Sequence, residues 1–212
     1  MILGGAVLAV TSCAGAEAPA RTASPSPAPT AVTAPATAGG SVEEAVDAAG
    51  VAVRAAATGS KAPGTRGLLV AAASTRGALF VWETKDGRFC HGAAVGMTMV
   101  ACASAPHTPP VGEEPRLVRL VAMMATGWNV VFGAEHETVE SVTCDGVPVP
   151  VRAVGLMADG RRTVHAVEFP GLTVGTVDVR VRRGSRVVTE SLTLMTPPGK
   201  GGAGKTASCG RP

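Results

Sequence analysis

Hydrophobic and polar residues alternate along much of the second half of the chain. In residues 177–182, valine alternates with aspartate or arginine, which is the pattern of a strand with one buried and one exposed face. Similar short segments follow one another from residue 128 onward, and glycine, aspartate and proline occupy the turns between them. We predict strands at residues 128–133, 138–144, 147–154, 162–169, 173–182 and 186–195.

The first half of the chain predicts a smaller group of strands. Residues 67–74 are apolar, and residues 78–84 are followed by Asp86-Gly87, a pair that suits a tight turn. Residues 88–92 and 97–104 flank a short Ala-Ala-Val-Gly link. We therefore predict a meander of four short strands in this half.

Two further segments frame these strands. Ser41 and Glu44 form a capping-box pattern, and apolar residues at helical spacing follow, so we predict a helix that ends at Gly50 or continues to Ala57. Residues 105–115 contain four prolines and indicate a loop or a boundary. Residues 116–125 fit a helix or a buried strand, and we favour a strand because the neighbouring segments are strands.

Together these elements predict a mainly β fold: an antiparallel β-sandwich or small barrel-like meanders with one N-terminal helix. The predicted folded region spans residues 41–196, with possible halves at 41–104 and 116–196. Its order of Trp128-x-x-x-x-Gly133, paired valines, a glycine turn and paired valines resembles that of uncharacterised exported lipoproteins of actinobacteria, from about residue 67 to residue 195. The resemblance implies export but brings no catalytic residues.

The N-terminus has the pattern of an export signal. Residues 2–10 are apolar, but the run is far shorter than the roughly 20 residues of a membrane-spanning helix. Val10-Thr11-Ser12-Cys13 follows and resembles the lipobox of bacterial lipoproteins, which implies a signal peptide at residues 1–12 and a diacylglycerol on Cys13. No lysine or arginine precedes the apolar run, so a start codon further upstream stays open.

Residues 13–40 predict a disordered linker. Alanine, proline, threonine and serine dominate this stretch, and such a segment buries too little apolar surface to offset the entropy lost on ordering. After a lipid anchor it would hold the folded domain away from the membrane. Compositional drift in a GC-rich genome would produce the same residues.

Composition narrows the functional classes. The 212 residues are 46% hydrophobic but only 3% aromatic, which excludes a coiled coil, a collagen and a multi-pass membrane protein. The net charge of +3 and the scarcity of aromatic side chains argue against nucleic-acid binding. Residues 180–186 contain four arginines, which would bind an anionic envelope polymer or, as we favour, keep an exposed strand from aggregating.

The number of cysteines indicates that the protein resides in an oxidising compartment. If Cys13 carries lipid, the four that remain are an even number and fit two disulfides. Cys90 and Cys102 lie on neighbouring predicted strands around a turn near Gly96, which brings them within bonding distance. Cys144 would then pair with Cys209 and hold the C-terminal tail. Free thiols are the alternative.

One motif in the Gly-rich tail, residues 197–212, is typical of nucleotide-binding proteins. Residues 199–206 match the phosphate-binding pattern G-x-x-x-x-G-K-[ST] and resemble the deviant Walker A loop of ParA-like ATPases, with Lys205 and Thr206 at the phosphate and magnesium positions. Such a loop must lead into a helix, and too few residues follow it here. We therefore predict no nucleotide and no other cofactor.

No sequence pattern identifies a catalytic or metal-binding site. Glu135-His136-Glu137 is more typical of a solvated turn than of a metal site. We expect an extracytoplasmic, lipid-anchored protein of the cell envelope that binds or scaffolds, with the membrane, an anionic polymer or another envelope protein as partner. The alternative is a secreted hydrolase of unrecognised type in which residues such as His165 or Glu168 converge in a cleft.

Overall fold

The computed structural model describes residues 40–124, 126–194 and 207–209. Over these residues the chain forms one α-helix and three β-sheets, so the predicted mainly β fold is confirmed. The layers stack in the order helix, first sheet, second sheet and third sheet. A separate hydrophobic core lies between each pair of neighbouring layers. The described strands form no closed barrel.

Helix α1 (Val42–Ala56) begins at the predicted capping box. The Ser41 backbone N–H donates to the Glu44 carboxylate at 2.8 Å, and the Ser41 hydroxyl accepts from the Glu44 backbone N–H at 3.1 Å. The helix continues through Gly50 rather than ending there, and it places Val53, which is fully buried, in a core with Phe80 of the first sheet.

The first sheet is an antiparallel meander whose four strands follow chain order. They are β1 (Leu69–Ser74), β2 (Gly77–Glu83), β3 (Phe89–Val95) and β4 (Met97–Cys102). The expected link before Gly96 is instead the end of β3, and the chain turns at Gly96, whose φ of 77° suits glycine. Cys90 and Cys102 lie directly opposite each other in the register and are joined by a disulfide.

The second sheet has the strand order β5-β6-β10-β9. Its strands are β5 (Arg116–Met124), β6 (Trp128–Glu135), β9 (Val151–Met157) and β10 (Arg162–Phe169). The strand favoured for residues 116–125 is confirmed. The single strand predicted for residues 147–154 is wrong, because the chain changes sheets at Pro150, a residue that has no backbone N–H to continue a ladder.

The third sheet has the order β12-β11-β7-β8, and a further strand pairs in parallel with β11. Its strands are β7 (Thr138–Cys144), β8 (Val147–Val149), β11 (Thr173–Arg183), β12 (Arg186–Thr193) and β13 (Ala207–Cys209). The Cys144–Cys209 disulfide joins β7 to β13, so both disulfides have the pairing expected from the sequence. The phosphate-loop motif at 199–206 lies outside the described residues, but β13 directly after it is a strand and not the helix that such a loop requires.

The second sheet is the central layer of this stack and is buried on both faces. All eight residues of β6 are buried. Val131 faces the core shared with the first sheet, and Phe132 faces the core shared with the third. A polar side chain on β6 therefore has little access to water and requires partners within the protein.

Candidate functional site

A largely buried row of charged residues crosses the central sheet at the end of β6. Glu135 has no solvent exposure. In the strand register it lies opposite Arg116 of β5 on one side and Arg162 of β10 on the other. Directly opposite residues in an antiparallel sheet extend from the same face. The sheet therefore aligns one carboxylate between two guanidinium groups.

Both oxygens of Glu135 are engaged in this row. Oε2 accepts a hydrogen bond from Arg116 Nε at 2.8 Å. Oε1 lies 2.5 Å from His107 Nε2 and 3.3 Å from Arg162 Nε. His107 comes from the loop between β4 and β5, so the cluster also holds the crossing from the first sheet to the second.

His107 is held as a neutral imidazole between the carboxylate of Glu135 and the guanidinium of Arg162. Burial, followed by the nearby charge of Arg162, lowers the pKa of His107. Its Nδ1 contacts Arg162 Nη2, and since a guanidinium can only donate, Nδ1 accepts. The remaining proton then lies on Nε2, which is 2.5 Å from Glu135 Oε1.

Glycine and backbone contacts position these side chains. A β-carbon at Gly133 would lie 2.6 Å from Cδ of Arg162, so the absence of a side chain there lets Arg162 lie across β6. The His107 backbone N–H donates to the Gly87 carbonyl at 2.8 Å, and Arg116 Nη2 donates to the Thr108 carbonyl at 2.8 Å. The loop is thus fixed to the turn before β3 and to β5.

A cleft of about 360 Å³ opens beside the charged row. One wall is the loop after β4, including Ala105 and His107, and the other is the start of β5. The lining includes three arginines and no acidic residue, and the rest of it is largely apolar. The arginines are Arg116, Arg119 and Arg162. This lining combines a cationic floor with apolar walls.

A larger cleft of about 490 Å³ lies beside the turn between β2 and β3. Its acidic residues already have partners: Glu83 accepts from the Ala158 backbone N–H at 3.0 Å, Asp86 pairs with Arg88 at 2.8 Å, and Asp159 lies 3.7 Å from Arg161. Ala158 and Asp159 have φ values of 51° and 55°, a left-handed conformation that costs about 1–2 kcal/mol per residue. We regard this cleft as a secondary candidate because its acidic side chains are already engaged within the protein.

The residues named for a hydrolase do not converge. His165 is buried and stacks on Phe132, with 5.4 Å between ring centroids, in the core facing the third sheet. Glu168 is exposed, and by strand alternation it lies on the opposite face of β10. In the cleft, His107 has both ring nitrogens engaged and offers no free nitrogen to accept a proton from a nucleophile.

The Glu135-His136-Glu137 segment is only partly the solvated turn expected from the sequence. His136 is exposed at the turn, with a φ of 57°. Glu135 is fully buried, and Glu137, which is 9% exposed, pairs with Arg183 at 2.9 Å. Burial raises the pKa of Glu137, and Arg183 counteracts this. Among the described residues, no three His, Cys, Asp or Glu side chains are grouped so that they could hold a metal ion.

The arginines of the β11–β12 hairpin are largely paired with acidic residues. Arg180 and Arg182 both contact Glu140 of the neighbouring strand, and Arg183 contacts Glu137 and Glu190. The pairs with Glu140 are largely exposed and contribute little to stability, whereas Arg183 holds the buried carboxylate of Glu137.

Sequence reasoning missed the charged row. Its strongest indication was Arg116 directly after a proline-rich loop and Arg162 at the start of a predicted strand, but neither shows which residue lies opposite. Comparisons with protein-family models, with curated proteins and with solved structures find no match for this chain. Cys13 lies outside the described residues, and no helix within them is long and apolar enough to cross a bilayer.

Proposed function

We propose that this chain is a binding protein of the bacterial cell envelope that is exported and anchored to the outer side of the cell membrane through a lipid on Cys13. The observation that carries the proposal is the pair of disulfides, Cys90–Cys102 and Cys144–Cys209. Disulfides persist in oxidising compartments outside the cytoplasm. The lipobox-like sequence before Cys13 and the linker at 13–40 add the anchor and the tether.

Binding rather than catalysis is the activity that the cleft beside Glu135 supports best. Its cationic side chains are held by the sheet and by backbone hydrogen bonds, as a preorganised binding site requires. A secreted hydrolase is the second hypothesis from the sequence. The engagement of both His107 nitrogens and the separation of His165 from Glu168 weigh against it.

The decisive experiment is the intact mass of the protein isolated from its native cells, with thiols alkylated before and after reduction. We expect a polypeptide that begins at Cys13 and carries a diacylglycerol mass, with four further thiols that react only after reduction. Retention of Met1 together with freely reacting thiols would contradict the proposal and indicate a cytoplasmic protein.

Cys13→Ser in the same cells is the matched control. It removes the sulfur that would carry the lipid and leaves the four cysteines of the disulfides untouched. We expect this variant to leave the membrane fraction while its disulfides remain. Unchanged membrane association of Cys13→Ser would contradict the lipid anchor while leaving export open.

A further inference from the structure

The charged row beside the cleft holds more guanidinium groups than carboxylates. Arg116, Arg119 and Arg162 are among the lining residues of the cleft. Only Arg116 and Arg162 share the face of Glu135, which pairs with both. Arg119 lies opposite Phe132, and its guanidinium donates to the Leu194 carbonyl on the side of the third sheet. His107 is neutral, since burial and Arg162 lower its pKa. Two guanidinium charges therefore face one carboxylate.

Part of this charge is withdrawn from water. Arg162 is only 5% exposed, and its Nε, 3.3 Å from Glu135 Oε1, makes no hydrogen bond within the described residues. The idealised arrangement for a buried guanidinium is a bidentate carboxylate or phosphate. Glu135 Oε2 accepts from Arg116, and Oε1 lies between His107 and Arg162 but likewise makes no hydrogen bond within the described residues, so Glu135 does not give Arg162 a bidentate partner.

The remaining walls of the cleft are apolar. Phe89, Pro106 and Leu120 are among its lining residues. A hydrated inorganic ion gains little from such walls, whereas a compact apolar group that displaces water from them is stabilised. The cleft therefore matches a ligand with an anionic end and an apolar body.

We propose that this cleft binds a small soluble organic anion, whose carboxylate or phosphate contacts Arg116 and whose apolar body lies between the loop after β4 and strand β5. The proposal rests on the binding function proposed above and specifies its ligand class. Arg116 is the main contact because its side chain is 38% exposed, whereas Arg162 is enclosed by the row.

The test is titration of the oxidised full-length chain with benzoate, followed by calorimetry or by chemical-shift changes. Benzamide is the neutral analogue of benzoate, and phenyl phosphate is the more highly charged one. We expect saturable binding of benzoate or phenyl phosphate that weakens as salt increases, and no saturable binding of benzamide.

Three variants locate the site. Arg116→Gln should weaken binding about tenfold or more, as expected for the loss of a hydrogen bond from a charged donor; Glu135 keeps Arg162 and His107 as partners, so the fold should persist. Ala105→Trp fills the cleft from its exposed wall without changing any charge and should also abolish binding. Arg54→Gln removes an exposed charge on α1 and should bind as the unaltered chain does.

The outcomes distinguish the anion-binding site from the proposed location of the protein in the cell envelope. Failure of both anions to bind, or equal binding by Arg116→Gln and the unaltered chain, would overturn the anion site even if Cys13 carries lipid. Association with phosphatidylglycerol vesicles without binding of either soluble anion would likewise overturn it and assign the arginines to membrane contact. Anion binding by a protein that retains Met1 would preserve the site and overturn only the envelope location.

Discussion

Buried His165 should make the stability of the protein depend on pH in a predictable direction. The residue is 6% exposed, its ring stacks on Phe132, and its Nε2 has no hydrogen-bond partner in the described part of the chain. Burial lowers the pKa of His165 from 6.5 to about 4. In the unfolded chain this side chain is hydrated and regains its ordinary pKa.

The sign and size of the effect follow from proton linkage. Between pH 6.5 and pH 4 the unfolded chain binds a proton at His165 that the folded chain does not bind, so the free energy of unfolding falls as the pH falls. The two pKa values give a loss of about 1.4 kcal/mol at pH 5.5 and about 2.5 kcal/mol at pH 4.5, and almost none at pH 7.5.

Other groups titrate over the same range, and the pKa values of His91 and His107 are also lowered by burial. A variant is therefore needed to isolate His165. His165→Phe keeps an aromatic ring against Phe132 and cannot bind a proton. Urea unfolding of both proteins at several pH values should show that the variant gains about 2–3 kcal/mol relative to the original chain between pH 7.5 and pH 4.5.

His136→Asn is the control for the loss of an exposed histidine, and asparagine tolerates the left-handed φ of that position. Its pH profile should follow that of the original chain. Parallel profiles for His165→Phe and the original chain over the whole range would refute the reasoning, because they would mean that His165 binds its proton equally well in the folded state.

Three further variants test the packing of the sheets, with urea unfolding as the common measurement. Gly175→Ala places a β-carbon 2.1 Å from the Cys209 carbonyl oxygen at a φ of 91°. It should displace β13, slow formation of the Cys144–Cys209 disulfide in a thiol-trapping assay and cost more than about 2 kcal/mol; normal disulfide formation would contradict this. Replacing both Cys144 and Cys209 by serine removes a crosslink between residues 65 positions apart and should lower the free energy of unfolding by about 4 kcal/mol in the chain-entropy model. An unchanged urea midpoint of unfolding would show that this disulfide does not stabilise the fold. Gly133→Ala should push Arg162 out of the charged row and cost about 1–3 kcal/mol, as overpacking does, whereas full stability would show that the row adjusts freely.

Local features were accessible from the sequence because the residues that determine them are close together in the chain. The capping box of Ser41 and Glu44 spans one helical turn. The Cys90–Cys102 pair is brought together by the turn at Gly96 between consecutive strands. Pro150 was also visible as a residue without an N–H at which the predicted strand could divide, but Pro148 has the same property and lies within β8.

The charged row depends on information that no local pattern contains. Glu135 contacts Arg162 because β6 pairs with β10, which are not consecutive strands. The sequence near Glu135 is polar, so it predicts a solvated turn unless the burial of the strand on both faces is known. That burial results from the stacking of three sheets, and periodicity within one strand does not reveal how many layers cover it.

The row also explains why the central sheet has one register. A shift of β6 by one residue would turn Glu135 from the face it shares with Arg116 and Arg162 to the apolar core around Phe132, since neighbouring residues of a strand point to opposite faces. A carboxylate left there without partners would cost several kcal/mol. The shift would also separate His107 from Glu135 and release the loop that forms one wall of the cleft. The same contacts that select the register therefore hold the proposed binding site in place, so the stability of this sheet and the geometry of the cleft cannot vary independently.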